Sequence, residues 1–295
     1  MKKDNPITCF KGFDKEFKCR DFQFEVGKTY EHEGDVKTCQ SGFHACVNPL
    51  DVWSYYGVFD SRYAIVELSG KKDKNDGDSK IAAAKIEIKA ELTLPEFINK
   101  AVEWVIDYCK KKDDGDRVKA SSGDYARIGS SGHSARIGSS GDYARIGSSG
   151  HSAQIGSSGY YAQIGSSGYS AQIGSSGHSA QIGSSGYYAQ IGSSGYYAQI
   201  GSSGYSAQIG SSGHSARIGS SGYYARINAT GEDSVIASAG YNTEFNAAEG
   251  TWVSIAEFND NGKCIGFVTG CVGKDGIKPN TTYKAKDGKF VEVTC

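Results

Sequence analysis

The segment GFHACVNPLDVWSYYG and its approach hold the chain's densest set of reactive groups: the thiols of Cys39 and Cys46, the imidazole of His44 and the phenols of Tyr55 and Tyr56. A thiolate beside an imidazole is a nucleophile when a third group orients the pair, and no third group is identifiable here. With Cys9 or Cys19 the same residues could ligate zinc, but no CxxC spacing accompanies them. Neither a metal nor another cofactor is expected. His44, Tyr55 and Glu67, the last in AIVELSG, are the only candidate catalytic groups. A second set belongs to a different chemistry. Tyr125, Arg127, Arg136, Tyr143, Arg145, Tyr161, Gln163, Tyr188, Gln190, Tyr197, Gln199, Arg217, Tyr224 and Arg226 recur in a periodic tract. Rings that stack, guanidinium groups and amides in register are binding groups, not catalysts.

Spacing dictates what must hold this second set. Between Ser121 and Ile227 the unit GSSGxxAxI repeats every nine residues. Glycine at this density excludes helix, AxI has the period-2 alternation of a short strand, and GSSG supplies turn residues. One strand and one turn make half a circuit, so two units close a coil. The history of the array agrees: DYAR, HSAR, DYAR, HSAQ is an 18-residue doublet used twice, and the following eight units are a 36-residue block used twice. Such duplications keep the phase of an 18-residue coil and would break that of a 27-residue one. Six regular coils at ~4.8 Å each predict a β-solenoid roughly 29 Å long. Ala and Ile of each unit should face a small dry interior, with the sixth and eighth positions outward and the fifth at the corner.

The flanks are of ordinary composition. Residues 1–113 read as an α+β head, with strand-like ITCFKGF, FQFEVG, RYAIVELSG and KIAAAKIEIKAEL. Thr93-Leu94-Pro95-Glu96 is a capping box opening an amphipathic helix whose Phe97, Ile98, Ala101, Val102 and Val105 share one face. That helix is expected to cap the solenoid of residues 114–245. Residues 246–295 read as a small β tail with turns at Asn261-Gly262 and Asp287-Gly288. The fold class is therefore mainly β. Lys+Arg 32 against Asp+Glu 33 gives a net charge of -1, so no global charge draws the chain to DNA or an acidic membrane. No apolar stretch is long enough to span a membrane and the amino terminus lacks an apolar h-region. A soluble protein of the cytoplasm, with its eight cysteines reduced, is expected.

Several resemblances add to this reading. KGFDKEFKCRDFQFEVGKTY, GFHACVNPLDVWSYY, RYAIVELSG, the nonapeptide array and IKPNTTYKAKDGKFVEV together resemble a family of bacteriophages and prophages of gut Firmicutes, in which this domain precedes Gly/Ser/Ala-rich repeats of variable number. The resemblance implies a phage-associated protein acting in the bacterial host cytoplasm, and carries no activity. The array is similar to the GxxSxL half-coil of ice-nucleation proteins, which implies the solenoid but not ice binding, since the outward row is Arg or Gln and not Thr. Calcium-binding nonapeptides place Asp at the sixth position, where this chain has Tyr or Ser. The head is also similar, by order of motifs, to ADP-ribosyltransferase-like folds. Lys11, then GFHAC with Tyr55 or Tyr56, then Glu67 would take the three places, and Lys11 is a mismatch at the first.

The functional expectation is a non-enzymatic interaction protein. Its Tyr, His, Gln and Arg ladders would engage a host protein, as an inhibitor or decoy of a defence or nucleic-acid enzyme. Nucleic acid is a second candidate partner, but five arginines against two aspartates leave the array only weakly basic. The alternatives are a nucleotide-binding or ADP-ribosyltransferase-like head on a solenoid spacer, and self-association into a homo-oligomer or fibre.

Overall fold

The computed structural model describes residues 5–74, 78–112, 114 and 117–293; Cys295 lies outside them. The chain divides into two compact units, Met1–Trp104 and Val105–Cys295.

In the first unit, β1 (Ile7–Phe13) pairs antiparallel with β6 (Arg62–Lys74) along its whole length, from Ile7 opposite Leu68 to Phe13 opposite Arg62. Its other edge meets β5 (Phe43–Cys46). Both β5 and β6 pair with β7 (Lys80–Leu92), so the four strands close into a ring. Closure requires long strands to bend, and the register of β6 on β7 shifts at Ile65/Val66 and at Ser69/Lys72 to allow it. β4 (Thr29–Glu31) extends β7, while β2 (Lys18–Cys19) and β3 (Phe22–Gln23) form a separate ladder. Alternate residues of the ring, among them Cys9, Phe13, Ala64, Val66 and Leu68, bury in one core.

Two helices complete the unit. The one-turn α1 (Pro49–Val52) is capped by Asn48, whose side chain accepts from the Leu50 amide at 3.1 Å. The Thr93 amide and hydroxyl both donate to Glu96, at 2.8 and 2.7 Å, which starts α2 (Leu94–Lys112) as the capping box predicts. The apolar face of α2 divides between two roles. Phe97 stacks on Tyr63 at 4.0 Å and meets Phe10 and Trp53, so this part of the helix fills the head's core and does not cap a coil.

The second unit is a β-solenoid. From β8 (Val118–Ser121) and β9 (Arg127–Ser130) to β22 (Glu244–Ala247), a four-residue strand occurs in every unit. From β8 to β20 (Arg226–Ala229) each pairs in parallel with the strand 18 residues on, as Arg136 with Gln154 and Gln163 with Gln181. Two units therefore make one coil. Even-numbered strands build one sheet and odd-numbered strands the other. The decayed units remain in register, and β23 (Trp252–Phe258) still pairs in parallel with β21 (Val235–Ser238), so the solenoid runs past residue 245. Antiparallel strands end both sheets. β24 (Cys264–Cys271) closes the odd sheet, and the hairpin of β25 (Tyr283–Lys286) and β26 (Lys289–Glu292) turns at Asp287-Gly288 and closes the even one.

The strand frame differs from the predicted one. The strand is not AxI but the eighth position, Ile and the next Gly-Ser, as in Gln163–Ser166. Glycine and serine, poor strand formers alone, are held by ladders on both sides. Ile164 and Ser166 face inward, and the interior holds a column of serines beside Ala and Ile. The fourth-position glycine stands in the turn, where coils stack too closely for a side chain. A Cβ on Gly177 would lie 1.9 Å from the Gly159 carbonyl oxygen, and Gly159, Gly195 and Gly213 repeat the clash.

Candidate functional site

The fifth and sixth positions both occupy the turns, not one strand face and one corner. The sixth residue adopts a left-handed backbone at Tyr125, Tyr143, Tyr161, Tyr197 and Tyr224, with φ between 55° and 58°. Because consecutive units lie on opposite sheets, the predicted outward residues fall on separate surfaces. The turns entering the odd sheet carry Tyr125, Tyr143, Tyr161 and Tyr197; Tyr125 stacks on Tyr143 at 5.0 Å and Tyr143 on Tyr161 at 5.1 Å. The opposite edge carries Tyr188 and Tyr224.

The eighth positions divide in the same way. Arg127, Arg145, Gln163, Gln199 and Arg217 are exposed on the odd sheet. Arg136, Gln190 and Arg226 lie on the even sheet and are half-buried, which corrects the expectation that the whole row is outward. On that sheet the side chains also bond along the row: Arg136 donates to Gln154, Gln154 to Gln172, and Arg226 to Glu244, at 2.9 to 3.0 Å. The last turns of α2 pack here, with the Arg136 guanidinium 4.8 Å from the centre of the Tyr108 ring and Ile106 against Gly138.

Fifth-position rings form the expected histidine and tyrosine ladders from the turns. His133, His151, Tyr169, Tyr187 and Tyr205 stack in sequence at 4.6 to 5.3 Å along one edge. Every fifth position along that edge from His133 to Tyr223 bears a ring, which makes the column continuous.

Beside its exposed row the odd sheet has a floor of strand glycines. Gly147, Gly165, Gly183 and Gly201 have no atom within 4 Å of where a Cβ would stand. The equivalent Gly138 on the even sheet is closely covered, its added Cβ falling 2.8 Å from the Cα of Ile106. Gly138 thus lies under the backbone of α2, whereas the odd-sheet column at these four positions is open.

The head contains a cavity of about 770 Å³. Lys11, Arg20, His32, His44 and Lys80 line it with Cys19, Phe22, Phe24, Phe43, Tyr55 and Tyr56, and no Asp or Glu is among the described lining residues. Lys11 is 5 % exposed and donates to the His44 carbonyl oxygen at 3.1 Å. Burial pulls its pKa below the usual lysine value, against a smaller opposing pull from the Cys19 thiol. His44 Nε2 accepts from the Cys39 amide at 2.9 Å, and burial, followed by the charges of Lys11 and Lys80, lowers its pKa. The Tyr56 hydroxyl donates to Cys19 Sγ at 3.0 Å. Tyr55 bonds to the Asp78 carboxylate and accepts from Lys80 Nζ at 2.8 Å. Burial and that carboxylate push the Tyr55 phenol up to about 12.

His44 and Tyr55 thus share a cavity with Lys11, but Glu67 does not join them. It alternates with the buried Ala64, Val66 and Leu68 on β6 and faces Lys89 at 3.6 Å. The three places of the transferase-like arrangement are therefore not assembled. Among the described residues no group of three His, Cys, Asp or Glu is placed to hold a metal ion, and no helix is long and apolar enough to cross a membrane. Sequence spacing gave no sign that Cys19, Arg20 and Lys80 would meet Lys11, because turns and cross-strand pairing far apart in the chain bring them together.

Residues 7–100 match a family model described as a domain of unknown function, DUF7666. No curated protein and no solved structure matches the chain.

Proposed function

We propose that this chain is a non-catalytic, phage-associated interaction protein whose solenoid docks a host protein on the open face of its odd sheet. The observation that carries the reading is the uncovered glycine floor at Gly147, Gly165, Gly183 and Gly201, bordered by the exposed Arg and Gln row. A strand glycine with nothing above it gives up packing and chain entropy for no gain within the molecule, and marks a place where another backbone approaches. The even sheet supplies the precedent, since its Gly138 receives the backbone of α2. The occupant of the open floor is accordingly a helix or strand of a partner, with Arg127, Arg145 and Arg217 available to its carboxylates.

The tyrosine edge supports the same reading. A bulky residue in the left-handed region costs about 1–2 kcal/mol, and the last coils place Asp233 and Asn242, which tolerate it better, at that position. Tyr125, Tyr143 and Tyr161 bear the cost and hold their rings in a stack beside Arg127, Arg145 and Gln163. Rings already ordered lose little freedom on binding. An inhibitor or decoy of a defence or nucleic-acid enzyme in the host cytoplasm is the concrete form of this proposal.

The test fills the floor without harming the fold. Gly165→Val, Gly183→Val and Gly201→Val add side chains into open space on a strand. The triple variant is expected to keep its β-sheet circular dichroism and to lose at least tenfold in capture of the partner that the unaltered chain retains from host lysate. Tyr143→Ser with Tyr161→Ser should weaken capture several-fold. Undiminished capture by both variants would remove the open face from the mechanism and leave the solenoid a spacer. A partner released by nuclease would replace the protein with a nucleic acid, and a doubled mass of the isolated chain would make the occupant a second copy.

A further inference from the structure

We infer that the head cavity is a binding site for a small organic anion whose phosphate or carboxylate is carried on a planar ring. Its charge is one-sided: Lys11, Arg20 and Lys80 line it with the imidazoles of His32 and His44, and among the described residues no carboxylate does. Lys80 has its balance nearby, since it bonds Tyr55 and Tyr55 bonds Asp78. Lys11 has none. Around its ammonium stand the thiols of Cys19 and Cys46, the guanidinium of Arg20 and the rings of Phe13 and Phe24 at 5.4 and 5.5 Å, and among the described residues its one oxygen contact is the His44 carbonyl. A buried ammonium without a counter-ion is costly to a fold. An anion entering the cavity would supply that counter-ion.

The remaining walls select the body of the ligand. Phe22, Phe24, Phe43, Tyr55 and Tyr56 line the same space. Phe22 packs on Phe24 at 4.7 Å and on Tyr30 at 5.2 Å yet is 45 % exposed, so one edge of the aromatic cluster stays open. Apolar walls with a few convergent polar groups are the usual make-up of a ligand site, and the volume suits a molecule of nucleotide size. A bare inorganic anion would leave the rings unused, and an uncharged ring would leave Lys11 unpaired.

Binding to the full chain can be followed by calorimetry with four probes: adenosine 5′-monophosphate, indole-3-acetate, inorganic phosphate and uncharged adenosine. At least one of the two ring anions is expected to bind tenfold or more tightly than both inorganic phosphate and adenosine. Preference for the nucleotide identifies a phosphate ligand, and preference for the indole acid a carboxylate. Lys11→Met, which keeps the length of the side chain, should abolish the preference for the anion. Should Lys11→Met fail to fold, Phe22→Ser at the exposed ring is the second variant, expected to weaken the ring anion fivefold or more and inorganic phosphate not at all. Equal binding of adenosine and its monophosphate, an unchanged preference in folded Lys11→Met, or no binding of either ring anion at millimolar concentration would overturn the assignment. The valine variants of the solenoid floor should leave this binding unchanged, so the site fails or stands apart from the docking face.

Discussion

Cys9 and Cys46 show what burial in the head's closed ring does to an acid. Cys9 is fully buried, and loss of solvent pushes its thiol up from an ordinary 9.0 to about 12. The thiol of Cys46 and the phenols of Tyr56 and Tyr63 are raised further, burial again coming first among the causes. In the unfolded chain these groups release protons near their ordinary values, at about pH 8.5 to 10, while the folded head retains them. Above about pH 9 the unfolded state therefore binds fewer protons, and stability falls as pH rises. Lys11 acts in the opposite sense, because its folded pKa is lowered and the unfolded chain holds that proton to higher pH. One lowered amine is set against two thiols and, with Tyr55, three phenols. The urea midpoint of the head, followed by Trp53 and Trp104 fluorescence, is expected to drop between about pH 8.5 and 10.5. Cys9→Ala should make that drop shallower, whatever it does to the midpoint at neutral pH. A midpoint that stays level or rises over the interval would contradict the burial account of these residues.

At the scale of the element, two glycine columns of one repeat obey opposite rules. The turn glycine is demanded by stacking, since a Cβ at Gly177 would stand 1.9 Å from the Gly159 oxygen and no side chain could swing away. Gly177→Ala is expected to destabilise the solenoid by about 3 kcal/mol or more. The strand glycine of the odd sheet meets nothing, so Gly183→Ala should stabilise by about 0.5–1 kcal/mol through the lost freedom of the unfolded chain. Thermal melts of the two single variants must move in opposite directions; a shift of equal sign would mean the columns are misassigned. This distinction was not legible in the sequence, where both glycines belong to one GSSG. The coil was legible, because duplications of 18 and 36 residues record it in Asp, His, Tyr, Arg and Gln. The strand frame was not, because propensity alone places Gly165 and Ser166 in a turn and only the ladders above and below make them strand. In the head the strand runs of β1, β6 and β7 could be read, as could the capping box at Thr93. Ring closure rests on bulges at Ile65/Val66 and Ser69/Lys72, and the cavity around Lys11 on partners as distant as Lys80, so neither leaves a local trace.

For the whole molecule, the pairing of every repeat strand with strands 18 residues away makes solenoid stability close to a sum of neighbouring interfaces. Interior coils are then interchangeable, and the ends are not. The odd sheet needs β24 and the even sheet needs the β25–β26 hairpin, which cover the strand edges that would otherwise pair with another chain. Removing Gly156–Ile191 joins Ile155 to Gly192, and both belong to even strands, so Gln154-Ile155-Gly192-Ser193 re-forms a repeat strand in its own sheet. The terminal strands and the α2 contact at Gly138 keep their own neighbours, and only two coil interfaces are lost. The shortened chain is expected to be monodisperse, with an unchanged β-sheet circular dichroism signal per solenoid residue and a lower melting midpoint. The docking floor loses Gly165 and Gly183, so capture of the partner should weaken while binding in the head cavity stays as before. An aggregated or non-cooperatively melting product would show that coils are not interchangeable, and unchanged capture would show that the partner does not read the middle of the open face.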